Sequence, residues 1–349
     1  MKRMLCVALS LLLLAGGLAG CAVPVADAYS AVWLDVFDTV TRLTVYGVDK
    51  AAFDAGAEAL HARLMEYHQL FDIYHAYAGV ANLKTVNDRA GHPVAVTEPV
   101  LGLLEYGLEA YTRTGGRVNI LFGAVLTQWH ACRQAALQGP GEVTLPAPEA
   151  LQQAAAHTDP STVVIDREAG TVCLTDPASR LDVGAVAKGY ATELVYRYAA
   201  EELGWTAFLL DVGGNVRAVG GKPTLAEPTP FTIGVQNPDT DSAVSYVETV
   251  KLQDAAAVTS GDYQRFFTVE GERYAHIIDP DTLHPARHVR SVTVVCADSG
   301  LADVLSTALF TLPVEAGLTL LQEFPDAEAV WVLADGTLRY SPGFGAYTN

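Results

Sequence analysis

Asp303 and Thr307, one helical turn apart in "SGLADVLSTALF", place a carboxylate and a hydroxyl on a common helix face, because residues i and i+4 are neighbours there. Hard oxygen donors of this kind suit Mg2+, which takes one or two carboxylates and keeps its other positions for phosphate oxygens and water. The same spacing also describes an ordinary aspartate near a helix start, with a threonine bonding back into its own helix. A second stretch, "RLDVGAVAKGYATE", sets Asp182 at a strand-to-helix junction and Lys188 on the first turns of the helix. Backbone amides and a lysine at a helix start can hold a diphosphate. It is not a Walker loop, because the lysine precedes glycine and no Ser or Thr follows. G-x-G-x-x-G, G-x-S-x-G and H-E-x-x-H patterns are also missing from the sequence.

Three further clusters carry polar chemistry. In "YAHIIDPDTLHP", His276 sits at a strand end, where an imidazole can act as a general base near neutral pH. A lone histidine there is equally a structural one. "VTSGDYQRFF" is a tight turn followed by Tyr263 and Arg265 with polar ends. Gly213-Gly214 in "DVGGNVRAVG" either lets the backbone approach a ligand or simply turns the chain.

The elements that must position these groups are legible from pattern. Val- and Thr-rich 31–47 reads as one or two strands, and 51–74 has helical spacing at Phe53, Leu60, Leu64 and Tyr67. A turn-rich polar stretch and a helix through "EPVLGLLEYGLEAYTRTGG" follow, then a hairpin over 161–175. Residues 184–204 read as a helix ended by Gly204. Strands are expected through "AFLLDVGGNVRAVG", "FTIGVQNP", "VETVKLQDAAAVTS" and "YAHIIDP". A helix over 299–312 opens behind Ser299 as its cap. Strands and helices mixed without regular alternation favour α+β over a doubly wound sheet.

Composition sets the setting. Lys2, Arg3 and an apolar run ending in Leu18-Ala19-Gly20-Cys21 read as a lipoprotein signal over 1–20, cut before a lipidated Cys21. The run is short for a span of about 20 residues. Residues 21–30 suit a tether, and 31–349 form one large domain or two intimate subdomains. This implies an extracytoplasmic protein anchored to the membrane by lipid. Cys132, Cys173 and Cys296 show no metal or disulfide spacing and read as core filling. A formal charge of −18 disfavours nucleic acid, whose binding rests on neutralising phosphates. An anionic ligand would need local help from a lysine, a helix start or a metal ion.

Taken in chain order, "FDTVTRL", "DIYHAY", "KTVNDRAG", "TGGRVNILFG", "LDVGAVAKGYATE", "DVGGNVRAVG", "VTSGDYQRFF", "HIIDPDT" and "DSGLADVLSTALF" resemble the ApbE family, the FAD:protein FMN transferases, from about residue 31 to 340. The resemblance implies a mixed-sheet, T-fold-related α+β catalytic domain. It implies Mg2+-dependent transfer of FMN from FAD to a Thr or Ser hydroxyl of a target flavoprotein, through a phosphoester bond, with release of AMP. Asp303 and Thr307 then fall on the metal site, with backbone oxygens from Ala185 and Gly300. Asp182 and Lys188 fall on contacts to the flavin nucleotide. Phe37 replaces a common methionine, and Tyr74 matches the aromatic of an S-T-Y segment. Val118, Asn119 and Ile120 match a G-G-x-x-D segment, with Asn119 in place of the aspartate. Ile278 falls where backbone meets the ligand. His276 is implied as the helper that deprotonates the acceptor, with Asp303 as the alternative. The acceptor would carry a D-x-x-S-G-A-[ST]-like segment on a membrane redox subunit or an electron-transfer lipoprotein. Two other readings share these residues: an FAD pyrophosphatase giving FMN and AMP, and a flavin-binding lipoprotein without catalysis.

Overall fold

The computed structural model describes residues 27–138, 143–224 and 226–348. The signal segment and Cys21 lie outside them. The frame begins with two strands, β1 (Ala28–Val36) and β2 (Thr39–Tyr46), joined by the two-residue turn Phe37-Asp38. Residues 28–30, assigned to the tether from sequence, are already strand. Helices α1 (Lys50–Phe71) and α2 (Leu83–Asp88), the short strand β3 (Val94–Ala95), and helices α3 (Glu98–Arg113), α4 (Gly123–Leu137) and α5 (Pro148–Ala155) follow. The polar stretch expected to be turn holds α2, because Asn82 caps it by accepting from Thr85 N at 3.1 Å.

Next come β4 (Val163–Asp166), β5 (Thr171–Leu174), α6 (Ala187–Glu201), β6 (Phe208–Val212), β7 (Asn215–Val219), β8 (Phe231–Gln236), β9 (Tyr246–Leu252), β10 (Ala256–Gly261), β11 (Phe266–Val269) and β12 (Glu272–Ala275). The chain closes with β13 (Ser291–Cys296), α7 (Ser299–Phe310), α8 (Val314–Leu321), β14 (Glu328–Val332) and β15 (Leu338–Tyr340). Eight strands form one sheet in the order β1-β2-β6-β7-β10-β13-β14-β15, with every pair antiparallel. The α+β expectation therefore holds.

One face of this sheet is closed by α1, α6 and α7. Leu43, Val45, Leu210 and Val212 bury there against Leu60, Leu64, Ala191 and Val195. Alternation explains the pattern: inward residues of β2 and β6 are apolar except Thr41, and their neighbours point to the other face. The other face is covered over part of its width by the β8–β9 hairpin, through Phe231, Val235, Val250 and Leu252. A satellite core of Phe122, Val125, Trp129, Leu151, Phe267, Ile278 and Leu283 joins α4 and α5 to β11 and the 278–283 loop. The cleft lies between this satellite and the sheet.

The strand expected through "YAHIIDP" stops at Ala275. Beyond it Ile278 makes only an isolated bridge to Pro285, and its side chain turns into the satellite core. The cap of α7 is Asp298 rather than Ser299: Asp298 Oδ1 accepts from Leu301 N at 2.7 Å, while the Ser299 hydroxyl donates to Asn215 Oδ1. Cys132 and Cys296 are buried free thiols and Cys173 is a half-buried one, in keeping with core filling.

Candidate active site

Helices α6 and α7 pack side against side over their first two turns, Gly189 against Asp303 and Glu193 against Ser299. Val186, at the cap position of α6, offers no side-chain acceptor. Asp303, on the second turn of α7, supplies it instead: its Oδ2 accepts from Gly189 N at 2.8 Å. A carboxylate from one helix thus caps another, favoured by the partial positive charge at a helix start. The approach requires Gly189, since a Cβ there would lie 2.6 Å from Asp303 Cβ, 2.7 Å from Ser299 O and 2.8 Å from Gly300 Cα. Lys188, one residue earlier, reaches the same carboxylate, with Nζ 3.2 Å from Oδ1 and 3.4 Å from Oδ2. Asp303 is buried and Lys188 is half-buried, so the pair sits at the floor of the cleft.

The junction is anchored from behind. Glu193 Oε1 accepts from Ser299 N at 2.7 Å and lies 3.4 Å from Arg217 Nε, with both side chains buried. Arg217 also stacks over the Tyr196 ring at 4.2 Å and donates to Ala218 O at 2.9 Å. Burial pushes the Glu193 carboxyl upward; the Ser299 amide and Arg217 oppose that shift.

Thr307 lines the cleft beside Asp303. Ser306, not Thr307, bonds back into the helix, donating to Asp303 O at 3.0 Å. Thr307 Oγ1 lies 3.5 Å from Ser260 Oγ instead. The Asp303 carboxylate and the Thr307 hydroxyl are hard oxygen donors of the type Mg2+ takes, and an ion there would displace the Lys188 ammonium from the carboxylate it now holds. Among the described residues no group of three or more His, Cys, Asp or Glu could hold a metal.

His276 lies across the cleft. Its Nδ1 is 3.0 Å from Arg265 O, and its backbone N donates to the same carbonyl at 3.1 Å. A carbonyl only accepts, so Nδ1 carries the hydrogen, and in the neutral ring Nε2 then keeps the lone pair. His276 is exposed to the open cleft, and desolvation by the cleft walls together with repulsion from Arg265, Lys188 and Arg133 lowers its pKa to about 4. The ring is neutral at pH 7.

Asp182, held by its backbone N to Ile120 O at 2.8 Å, lines the cleft; burial raises its pKa against the Gly184 amide that it accepts from at 2.9 Å. Tyr74 lies against His130, with ring centroids 5.0 Å apart. Desolvation at the cleft wall raises the pKa of the half-exposed Tyr74 hydroxyl and lowers that of His130, helped there by Arg133.

The cleft, about 930 Å3, is lined by Tyr74, Val118, Asn119, Asp182, Ala185, Lys188, His276, Ile278, Asp303 and Thr307. Three sequence-named residues are not in its wall. Ile120 is buried, with its side chain where a Cβ on Gly107 would fall, and it contributes its carbonyl to Asp182. Gly300 is buried beneath Tyr106 at the helix junction. Phe37 packs edge-on to His68 behind the β1–β2 turn. Asn119 spends its amide on the loop, donating to Thr158 O and accepting from Leu121 N, both at 2.8 Å. Sequence reasoning missed Trp129, His130 and Arg133, which bring an aromatic ring and two basic groups from α4 to the cleft. Their signal was the run "QWHACR", whose Trp129 and Arg133 share a helix face.

Fold and site together define an α+β protein whose cleft combines oxygen donors, a lysine and a neutral imidazole, with the volume of a large organic ligand. Comparison with known proteins narrows this class. A model of the ApbE family matches residues 37–331, and the chain belongs to that family. It is 33% identical over 326 residues to the FAD:protein FMN transferase of Treponema pallidum, across 88% of this chain and 85% of that protein. It is 30% identical over 299 residues to an FAD:protein FMN transferase of Klebsiella pneumoniae, across 82% and 88%. The crystal structure of the ApbE protein from Thermotoga maritima matches at a TM-score of 0.79 and 28% identity, across 93% of this chain and 100% of that one. The flavin transferase ApbE from Vibrio cholerae shares the fold at a TM-score of 0.75 and 22% identity, across 92% and 99%.

Proposed function

We propose that the protein moves FMN from FAD onto a threonine or serine hydroxyl of an acceptor flavoprotein, through a phosphoester bond. The relatives named FAD:protein FMN transferase support the reaction. The observation that carries it is the locked tautomer of His276, which turns an unprotonated Nε2 to the cleft that also holds Lys188 and Asp303. Nε2 takes the acceptor hydroxyl proton as the oxygen forms a bond to the FMN phosphorus. The diphosphate P–O bond breaks, and AMP leaves with the bridging oxygen. A hydroxyl is a poor nucleophile until a base removes its proton. Lys188 neutralises phosphate charge, and the amides at the start of α6 orient it. Asp303 and Thr307 would hold Mg2+, with backbone oxygens of Ala185 and Gly300 proposed beside them. Such an ion polarises phosphoryl oxygens as a Lewis acid. Phe37, Tyr74, Val118, Asn119, Ile120, Asp182 and Ile278 remain the proposed flavin-nucleotide contacts; Ile120, Gly300 and Phe37 would contribute from behind the cleft wall.

The deciding assay mixes the protein with FAD, Mg2+ and an acceptor domain carrying a D-x-x-S-G-A-T segment. Flavin fluorescence that survives denaturation on the acceptor is the expected result. FMN release without a covalent product means a pyrophosphatase, and tight FAD binding without turnover means a binding protein. We further propose that Cys21 carries lipid and tethers the protein outside the cytoplasm, on the strength of "LAGC" after the apolar run. Among the described residues no helix is long and apolar enough to cross a membrane. An unlipidated N-terminal peptide in a mass spectrum of the membrane fraction would refute the tether.

A further inference from the structure

The cleft continues past Lys188 and Asp303 into a second arm, between the large sheet and the β8–β9 hairpin. The two walls of that arm differ in kind. Along the middle of its strands the sheet contributes alternate residues, Val40, Arg42 and Thr44 from β2, Leu209 and Asp211 from β6, Ala257 and Thr259 from β10; consecutive ones, Thr39 and Ser260-Gly261, enter only at strand ends. A period of two is the signature of a strand's face. β8 contributes five residues in succession, 232 to 236. Side chains of a strand alternate, so five in a row cannot all point one way; what borders the arm is the edge of β8, its backbone. β9 lines the arm only through Tyr246 and Val250. β8 pairs with β9 alone, from Phe231 opposite Leu252 to Gln236 opposite Tyr246. Its other row of N–H and C=O groups has no strand partner among the described residues, and such a row is a template for another chain.

We propose that the acceptor polypeptide docks here as a third, extended strand beside β8, across the open face of the large sheet, and so delivers its hydroxyl to the Lys188–Asp303 end of the cleft. This rests on the transfer reading, which requires the second substrate to be a polypeptide. Strand addition supplies affinity through the backbone and specificity through alternate side chains. The floor states which side chains. Arg42 is 59% exposed and holds Asp211 only loosely, at 3.5 Å. Its guanidinium is free to meet an acidic residue of the incoming strand. Val32, opposite Arg42 in register and 58% exposed, extends the same face as an apolar landing for the next side chain on that side. The occupant is therefore an extended segment with an acidic and an apolar residue on one face.

The test uses the whole protein with FAD, Mg2+ and synthetic acceptor peptides carrying a D-x-x-S-G-A-T segment, each N-methylated at one successive residue. Covalent flavinylation should fall at every second position and persist between them, because only alternate amides face β8. A scan without that two-residue period overturns the proposal. In parallel, Arg42→Ala should raise the KM for the acceptor domain about fivefold, the value of one partly exposed charge pair, with the FAD affinity unchanged. Loss of FAD affinity in Arg42→Ala assigns the arm to the nucleotide instead and also overturns it. If the unaltered protein flavinylates neither peptide nor domain, the transfer reading itself has failed; a flat scan on a flavinylated peptide removes only the strand-addition site.

Discussion

The two sides of the α6–α7 junction are built from the same helices and are both polar, yet they differ in what they leave open. On the buried side, Glu193, Arg217, Asn215 and Ser299 spend their groups on one another and on backbone. On the cleft side, Asp303 carries only Lys188 and one amide, and Thr307 meets only a distant serine hydroxyl. The first side fixes where the second can be. A site held by a buried network behind it needs little reorganisation when charge arrives in front, although one atom of that network, Arg217 Nε, makes an ion pair without a hydrogen bond. The difference teaches that the stability of this protein and its reactivity are assigned to opposite faces of one helix start.

Substitutions on the two sides should therefore separate. The largest effect is expected for Asp303→Ala. It removes the carboxylate that caps α6 and holds Lys188, so turnover should drop by about 10³-fold or more, as when a charge-stabilising group at a reacting centre is lost. The far-ultraviolet circular dichroism should be unchanged, and wild-type-like turnover would remove Asp303 from the site. Glu193→Ala breaks the comparison from the other side. It leaves Arg217 buried without its carboxylate, which costs about 3–5 kcal/mol. Urea unfolding should show that loss, while Glu193→Gln, still able to accept from Ser299 N, should lose clearly less.

The smallest effect at working pH concerns His276. Its folded pKa is about 4, so the ring is already neutral above that value. The acid limb of kcat/KM, which reports the free enzyme, should fall as pH drops through about 4 and be flat from there to neutrality. Bound diphosphate brings negative charge toward the ring and raises its pKa, so the limb in kcat should lie higher than the limb in kcat/KM. Coincident limbs near the ordinary histidine value would overturn the lowered pKa, and limbs that persist in His276→Gln would exclude His276 as the base.

Much of this was legible in the residues. The helices bearing Lys188 and Asp303 showed in their periodicity, and the Gly213-Gly214 turn in its dipeptide. The ion pair between Lys188 and Asp303 did not, because it spans 115 positions and depends on Gly189 admitting α7 to backbone contact. Ser299 looked like a cap because its type is right; Asn215, distant in sequence, takes its hydroxyl. Ile120 matched a motif by position, whereas its burial under Gly107 follows from packing that no local pattern records. The basic wall of α4 was missed because its few buried positions, Val125, Trp129 and Cys132, write no strong stripe.

The turn between β1 and β2 carries a last consequence. Phe37 and Asp38 stand at φ 50° and 53°, the left-handed geometry that Asn-Gly enters easily and that other side chains enter at a cost. What holds it is an acceptor: Phe37 N donates to His68 Nδ1 at 3.0 Å, His68 Nε2 lies 3.3 Å from Tyr77 Oη, and Tyr77 Oη donates to Asp72 Oδ2 at 2.8 Å. Asp72 in turn accepts from Tyr74 N. The direction of the hydrogens in this chain is set by the Phe37 amide, which can only donate to His68 Nδ1. The turn is thus a spring latched by one lone pair, and the same latch ends on the loop that presents Tyr74 to the cleft.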